Sequence, residues 1–256
     1  MAESISSKLL EGEYDSFGVD AAFAAKLQTD LREVNNDKHL RIGFGERRLS
    51  GGNYGESYPQ GLGEVEILDN DIAYLAISHF PTTNSNYKKV LADKMDQIRG
   101  SSGLIIDMRY NRGGSPGTVQ LVSSYFLPPD THLNTLYFRT SDRTDQFNTL
   151  DHIDGERMEK MPIYLLTSNR TFSAGEEFSY NLKHLERATL IGETTGGGAH
   201  PVNRYNLPSD FYAIIPIGMA INPITKTNWE GVGVIPHISA PEDAALERAL
   251  EIANTN

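Results

Sequence analysis

Two spacings of apolar residues alternate along this chain. Short unbroken apolar runs, the mark of strands covered on both faces, are separated by stretches where apolar residues return every three or four positions, the mark of helices with one packed side. Residues 20–34 set Phe23, Leu27, Leu31 and Val34 on one helical face, with Asp20 placed as an N-cap. The polar run Asn35-Asn36-Asp37-Lys38 ends that helix, and His39-Leu40-Arg41-Ile42 begins a strand. Residues 43–63 contain seven glycines and a proline, which is loop chemistry, and mark the boundary between a small N-terminal part (1–62) and a main domain (63–256).

Beyond that boundary strands are predicted at 72–78, 103–108, 163–166, 188–192 and 212–217. Helices are predicted at 84–99, 119–127 and 174–185, with a short terminal helix over 240–253. Tyr87, Leu91, Met95 and Ile98 share one face of the first, and Phe178, Leu182 and Leu185 one face of the third. Such alternation predicts an α/β fold whose sheet is covered by helices. The sequence contains no internal repeat or low-complexity tract.

Composition narrows the function classes. The 256 residues include no Cys, which removes disulfide frameworks, thiolate metal sites and cysteine nucleophiles together. A formal net charge of −11 repels phosphate backbones and anionic lipid, so neither nucleic-acid binding nor membrane insertion is expected. The longest apolar stretches, such as 212–218, are far short of the roughly 20 residues a spanning helix needs. The N-terminal segment MAESISSKLLEGEYDS lacks the basic and apolar regions of a signal peptide, consistent with a cytoplasmic chain or with a targeting segment outside it.

Two strand-to-helix turns carry candidate chemistry. The first, DMRYNRGGSPG (107–117), follows the apolar strand GLIID; its glycine-rich backbone leaves N–H groups open to an anion or a developing oxyanion. The same residues also suit a plain tight turn with an Asp107–Arg109 surface pair. The second, TSNRTFSAGEEF (167–178), runs from a buried strand into an amphipathic helix. There Ser173 stands at the strand's carboxyl end beside the free N–H groups and positive dipole of a helix N-terminus. Ser173 with Glu176 equally reads as a capping box; a pure cap needs no base nearby. The seven histidines (39, 79, 132, 152, 184, 200 and 237) show no close metal-ligand spacing, so no metal or other cofactor is expected. His132 and His152 fall in polar loops and His184 on a solvent-facing helix side, whereas His39 sits at a helix–strand junction from which a side chain can reach a cleft or serve the structure.

Taken together, GLIIDMRYNRGGSPGTVQLVSSYFL, YLLTSNRTFSAGEEFSYNLKHLERATLIGETTGGGAHP and GVGVIPHI resemble the tail-specific (C-terminal processing) serine peptidases, over residues 20–250. The likeness is closer to the branch of tricorn-type core peptidases and interphotoreceptor retinoid-binding protein modules. It implies a crotonase/ClpP-like α/β core preceded by a small helical part, and a peptidase acting on peptide or unfolded protein through an acyl-enzyme. It implies Ser173 as nucleophile, His39 as base and Glu230 as its acidic partner, with an oxyanion hole from the N–H of Ala174 and that of Gly113 or Gly114. The lysine of the Ser–Lys branch would fall at Gly198 and is absent, and neither Lys183 nor Lys226 takes its place. Where tricorn-type sites have a hydroxyl residue before the histidine, this chain has Lys38; the link to Glu230 then needs a water, a direct contact or another orienting group. No PDZ-like segment is expected between the N-terminal part and the core. The family likeness also implies export, with an upstream helix and signal preceding a chain of this kind. A carrier of apolar ligands, as in the retinoid-binding modules, and a small-molecule esterase are the competing readings.

Overall fold

The computed structural model describes residues 1–45 and 58–255, so residues 46–57 of the predicted glycine-rich loop lie outside it. In chain order the elements begin with α1 (Ala2–Leu10), α2 (Ala21–Asn35), β1 (Arg41–Phe44), β2 (Leu62–Leu68), β3 (Ile72–Ile77) and α3 (Ser85–Ile98). Next come β4 (Gly103–Asp107), α4 (Pro116–Ser123), β5 (His132–Phe138), β6 (Arg143–Asn148), β7 (Ile163–Thr167) and α5 (Ala174–His184). The chain closes with β8 (Thr189–Gly192), β9 (Val202–Asn206), β10 (Phe211–Pro216), β11 (Gly218–Ile221), β12 (Ile238–Ser239) and α6 (Ala245–Ala253).

The α/β core is a six-stranded sheet in the order β12-β8-β7-β4-β3-β2. All neighbours in it are parallel except β2, which runs antiparallel to β3 at one edge. Period-two alternation sorts its side chains. Leu104, Ile106 and Leu165 face the cluster containing Leu91, Val119 and Phe178. Ile105, Tyr164 and Leu166 face the opposite cluster with Ala245 and Ala249 of α6. Helix α3 buries the predicted Tyr87-Leu91-Met95-Ile98 face, and the Asn84 side chain accepts the Tyr87 N–H as its N-cap.

The predicted strand at 212–217 does form, but it belongs to a separate antiparallel sheet, β1-β10-β9, and a third sheet is β11-β5-β6. The predicted helix at 119–127 instead spans Pro116–Ser123, because proline is suited to the first helical turn, where its missing N–H has no partner to lose. The terminal helix starts at Ala245, five residues later than expected. His132 lies in β5 and not in a loop. His184 is half-buried, its ring 4.2 Å from that of Tyr180.

Candidate active site

The carboxyl ends of two adjacent central strands supply the floor of the site. β4 leads into the glycine turn and β7 into the serine turn. Hydrogen bonds stitch the turns together: the Thr171 hydroxyl donates to the Met108 carbonyl at 2.8 Å, and the backbone Phe172 N–H donates to the Asn111 carbonyl at 2.9 Å. Beneath them Asp107 and Arg109 form a buried ion pair at 2.6 Å, not the surface pair expected from their spacing. An ion pair so desolvated needs its remaining groups satisfied. Here the Tyr74 hydroxyl donates to Asp107 and Arg109 donates to the Glu242 carbonyl.

Ser173 occupies φ 56°, ψ −122°, a region that costs a non-glycine residue about 1–3 kcal/mol. An ordinary N-cap has extended backbone and turns its oxygen onto the helix N–H groups. Ser173 forms the expected capping box with Glu176, its N–H donating to the Glu176 carboxylate at 2.9 Å, and the Glu176 N–H also reaches the Ser173 carbonyl at 2.8 Å. The Ser173 hydroxyl in addition lies 3.0 Å from Nε2 of His39, 134 positions away in sequence.

Gly113 (φ 95°) packs so closely that a Cβ there would sit 2.6 Å from the Ser173 Cβ and 2.9 Å from the Ala174 nitrogen. Its N–H is committed to the Asn111 side-chain oxygen at 2.8 Å. The N–H groups of Gly114 and Ala174 donate to no group among the described residues. Of the three expected oxyanion donors, those two are free in this structure and Gly113 is not.

His39 is delivered by the turn between α2 and β1. The Asp20 side chain caps α2 by accepting the Phe23 N–H, and Asn36 ends the helix in the left-handed region at φ 53°. From the last turn of α2, Arg32 donates to the carbonyls of Lys38 and Leu40, on either side of His39. The imidazole lies against Phe172, ring centres 4.7 Å apart. Burial disfavours its charged form and pulls it down to about 4, against the opposing pull of the Asp37 carboxylate. At neutral pH the ring is uncharged and able to accept a proton.

Glu230 is brought to the same place but does not hydrogen-bond the ring. Its two oxygens accept the Lys38 N–H at 2.9 Å and the Ala199 N–H at 2.7 Å. Asp37, Glu230 and His39 nevertheless each offer a ligand atom within 4.8 Å of the others. The Nδ1 of His39 is buried and has no hydrogen-bond partner among the described residues.

Gly198, where a Ser–Lys site would carry its lysine, is filled from the other side. A Cβ there would lie 2.3 Å from the Phe172 ring and 2.8 Å from Cε1 of His39. The histidine ring thus occupies space that a side chain at 198 would need.

Three further residues, Asp37, His200 and Glu176, are joined to the site by contacts distant in sequence. Asp37 accepts the His39 N–H at 2.8 Å and pairs with Nδ1 of His200 at 2.6 Å. Burial raises the Asp37 carboxyl, but His200 and the backbone N–H outweigh it and hold the group below its usual range. The partner His200 is raised, chiefly by that hydrogen bond. Asp two residues before the donor N–H is the pattern of an Asx turn, the one sequence signal available for Asp37. Glu176 was legible only as a cap. Besides the Ser173 N–H, its buried carboxylate accepts the Thr195 hydroxyl at 2.5 Å and the N–H groups of Gly197 and Gly198 at 2.6 and 2.8 Å. Burial pushes it up to about 7 in spite of those donors.

No helix among the described residues is long and apolar enough to cross a membrane. Over 135 residues the chain is 27% identical to the carboxy-terminal processing protease CtpB of Bacillus subtilis, spanning 52% of this chain but only 27% of that protein. It is 29% identical over 128 residues to the carboxyl-terminal-processing protease of Synechocystis, spanning 49% of this chain and 28% of the relative. The chain thus covers about a quarter of the length of the curated relatives it matches. Its fold resembles that of a lipoprotein from Streptococcus agalactiae (TM-score 0.64, 17% identity, 91% of this chain and 81% of that one). None of these similarities supports the carrier reading. Residues 71–240, which contain the glycine turn, the serine turn and Glu230, match peptidase family S41, and the chain belongs to that family.

Proposed function

We propose that this chain is a serine peptidase that cleaves peptide bonds through an acyl-enzyme, with Ser173 as nucleophile and His39 as general base. The observation that carries the reading is the 3.0 Å approach of a neutral, half-buried imidazole to a serine in a strained strand–helix turn. A pure cap requires neither the strain nor the imidazole.

In the first step the Ser173 oxygen attacks the scissile carbonyl carbon while its proton passes to Nε2 of His39. The carbonyl electrons move onto oxygen, and that oxyanion is met by the N–H groups of Gly114 and Ala174, each worth about 10²–10³ in rate at sites of this kind. Collapse expels the amine, which takes the proton from His39. Water, deprotonated by the same imidazole, then releases the acid and restores the serine. Asp37 and Glu230 lie beside the ring and stabilise the transient imidazolium by their negative charge, and Glu230 also holds the backbone before His39 and at Ala199. Peptide or unfolded protein as substrate, export from the cytoplasm and a division at residues 62/63 are part of this reading. Any such division leaves β1 on the N-terminal side paired with β10 on the other.

Treatment with a fluorophosphonate serine probe, with a mixed-peptide digest alongside, tests the proposal. Labelling and cleavage are expected for the wild-type chain and neither for Ser173→Ala. An unlabelled wild-type protein, or Ser173→Ala with undiminished turnover, contradicts it.

A further inference from the structure

We propose that Asp37, His39, His200 and Glu230 form a site for a divalent transition-metal ion of the Zn²⁺ type, and that filling it silences Ser173. The inhibitory half of this inference rests on His39 being the base; the binding half does not.

Oxygens of Asp37 and Glu230 and a ring nitrogen of His39 already lie within 4.8 Å of one another. His200 stands beside the two carboxylates and can supply a fourth ligand, its Nδ1 being 2.6 Å from Asp37 and 3.7 Å from Glu230. Two imidazoles and two carboxylates are donors that Zn²⁺ accepts, whereas Ca²⁺ and Mg²⁺ prefer oxygen alone. Bonds of about 2.0–2.2 Å place tetrahedral ligands about 3.5 Å apart, so drawing Asp37, His39 and Glu230 onto one ion takes a movement of about an ångström, and His200 has to turn from Asp37 toward the same point.

The surroundings resemble those of a metal site. Backbone N–H groups of Lys38, His39 and Ala199 hold the two carboxylates in place, as outer hydrogen bonds orient metal ligands elsewhere. The His200 and Glu230 side chains keep 22% and 17% of their surface exposed, which leaves an entry path. His39 Nδ1 is buried without a hydrogen-bond partner, a cost that coordination would remove.

The consequence for catalysis follows from the tautomer. A metal on Nδ1 moves the ring proton to Nε2. That nitrogen then points N–H, not a lone pair, at the serine, and cannot take its proton. The four ligands stand at positions 37, 39, 200 and 230, which is why no compact spacing of histidines announces them.

The test titrates the full chain with Zn²⁺ by calorimetry and with Co²⁺ by visible absorption, and follows fluorophosphonate labelling in the same samples. Expected are one-to-one binding, affinity at least tenfold weaker in both His39→Ala and His200→Ala, an intense tetrahedral Co²⁺ spectrum, and labelling that falls with occupancy and returns with chelator. Absence of one-to-one binding, wild-type affinity in either variant, or the weak spectrum of an octahedral oxygen site overturns the proposal. Should either variant fail to fold, the wild-type spectrum and the labelling response decide alone. Tight binding with labelling unchanged overturns the inhibitory half. A wild-type chain that never labels, even metal-free, refutes the peptidase reading and leaves the binding measurements to judge the site.

Discussion

The nucleophile half of the site and the base half are built on opposite principles. Ser173, Gly113, Gly114 and Ala174 stand in the turns that follow two adjacent, wholly buried parallel strands, and hydrogen bonds link the two turns directly. His39 arrives on a turn outside the main sheet, fixed by Arg32 and facing a partly exposed cluster of Asp37, His200 and Glu230. One half sets where the reacting atoms lie, and the other sets protonation. The two halves should therefore fail differently when changed.

Removing the base gives the largest effect. His39→Ala is expected to lower kcat/KM about 10⁶-fold with binding little changed, as loss of a triad histidine does, and steady-state kinetics on a cleaved peptide checks it. Next comes Gly198→Ala, whose Cβ overlaps the space of the Phe172 and His39 rings. About a 10²-fold fall in kcat with a nearly unchanged melting temperature is expected, since an ångström of displacement at a reacting group costs that much. An active Gly198→Ala enzyme would show that the ring position is not critical.

Glu176→Gln tests the nucleophile half. The amide cannot accept from all four donors, so roughly a tenfold loss in kcat is expected, together with about 1–3 kcal/mol of stability by denaturant titration. Its pH signature is distinct. A carboxyl raised to about 7 binds its proton more tightly in the folded state, so its stabilisation is complete below the unfolded value of 4.5 and is lost as pH rises through 7. The wild-type stability should lose this component across that window, and Glu176→Gln should not.

The smallest effect is a shift in the acid limb of kcat/KM. Neutral His39 is the active form, so the limb of the free enzyme should lie well below the ordinary histidine value of 6.5. His200, a positive neighbour, holds the imidazole down and Asp37 holds it up. His200→Ala should therefore move the limb to higher pH, and Asp37→Asn should move it lower. Identical profiles in all three proteins would mean that the cluster does not tune the base.

The same division explains how much could be read in advance. The core strands and helices are legible because both their faces are filled, and apolar runs such as GLIID and IYLL have no other use. Strands such as RTDQFN (β6) and VNRYN (β9) are largely exposed and gain their form from an antiparallel partner, leaving no period to read. Helix α1 buries no residue at all. Within the site, Ser173 and the glycine turn announce themselves by their place between strand and helix. His39 and Glu230 needed the family resemblance, because nothing local pairs positions 39, 173 and 230. Asp37 and His200 were missed because their partnership spans 163 positions.

The account rests on an imidazole drawing the proton from Ser173, and the rate of fluorophosphonate labelling of that serine against pH measures it most directly. Wild-type labelling should stay on a plateau down to below pH 6.5 and fall only as His39 becomes charged, with His39→Ala slower by orders of magnitude across that plateau. Equal labelling rates in the two proteins would contradict the account.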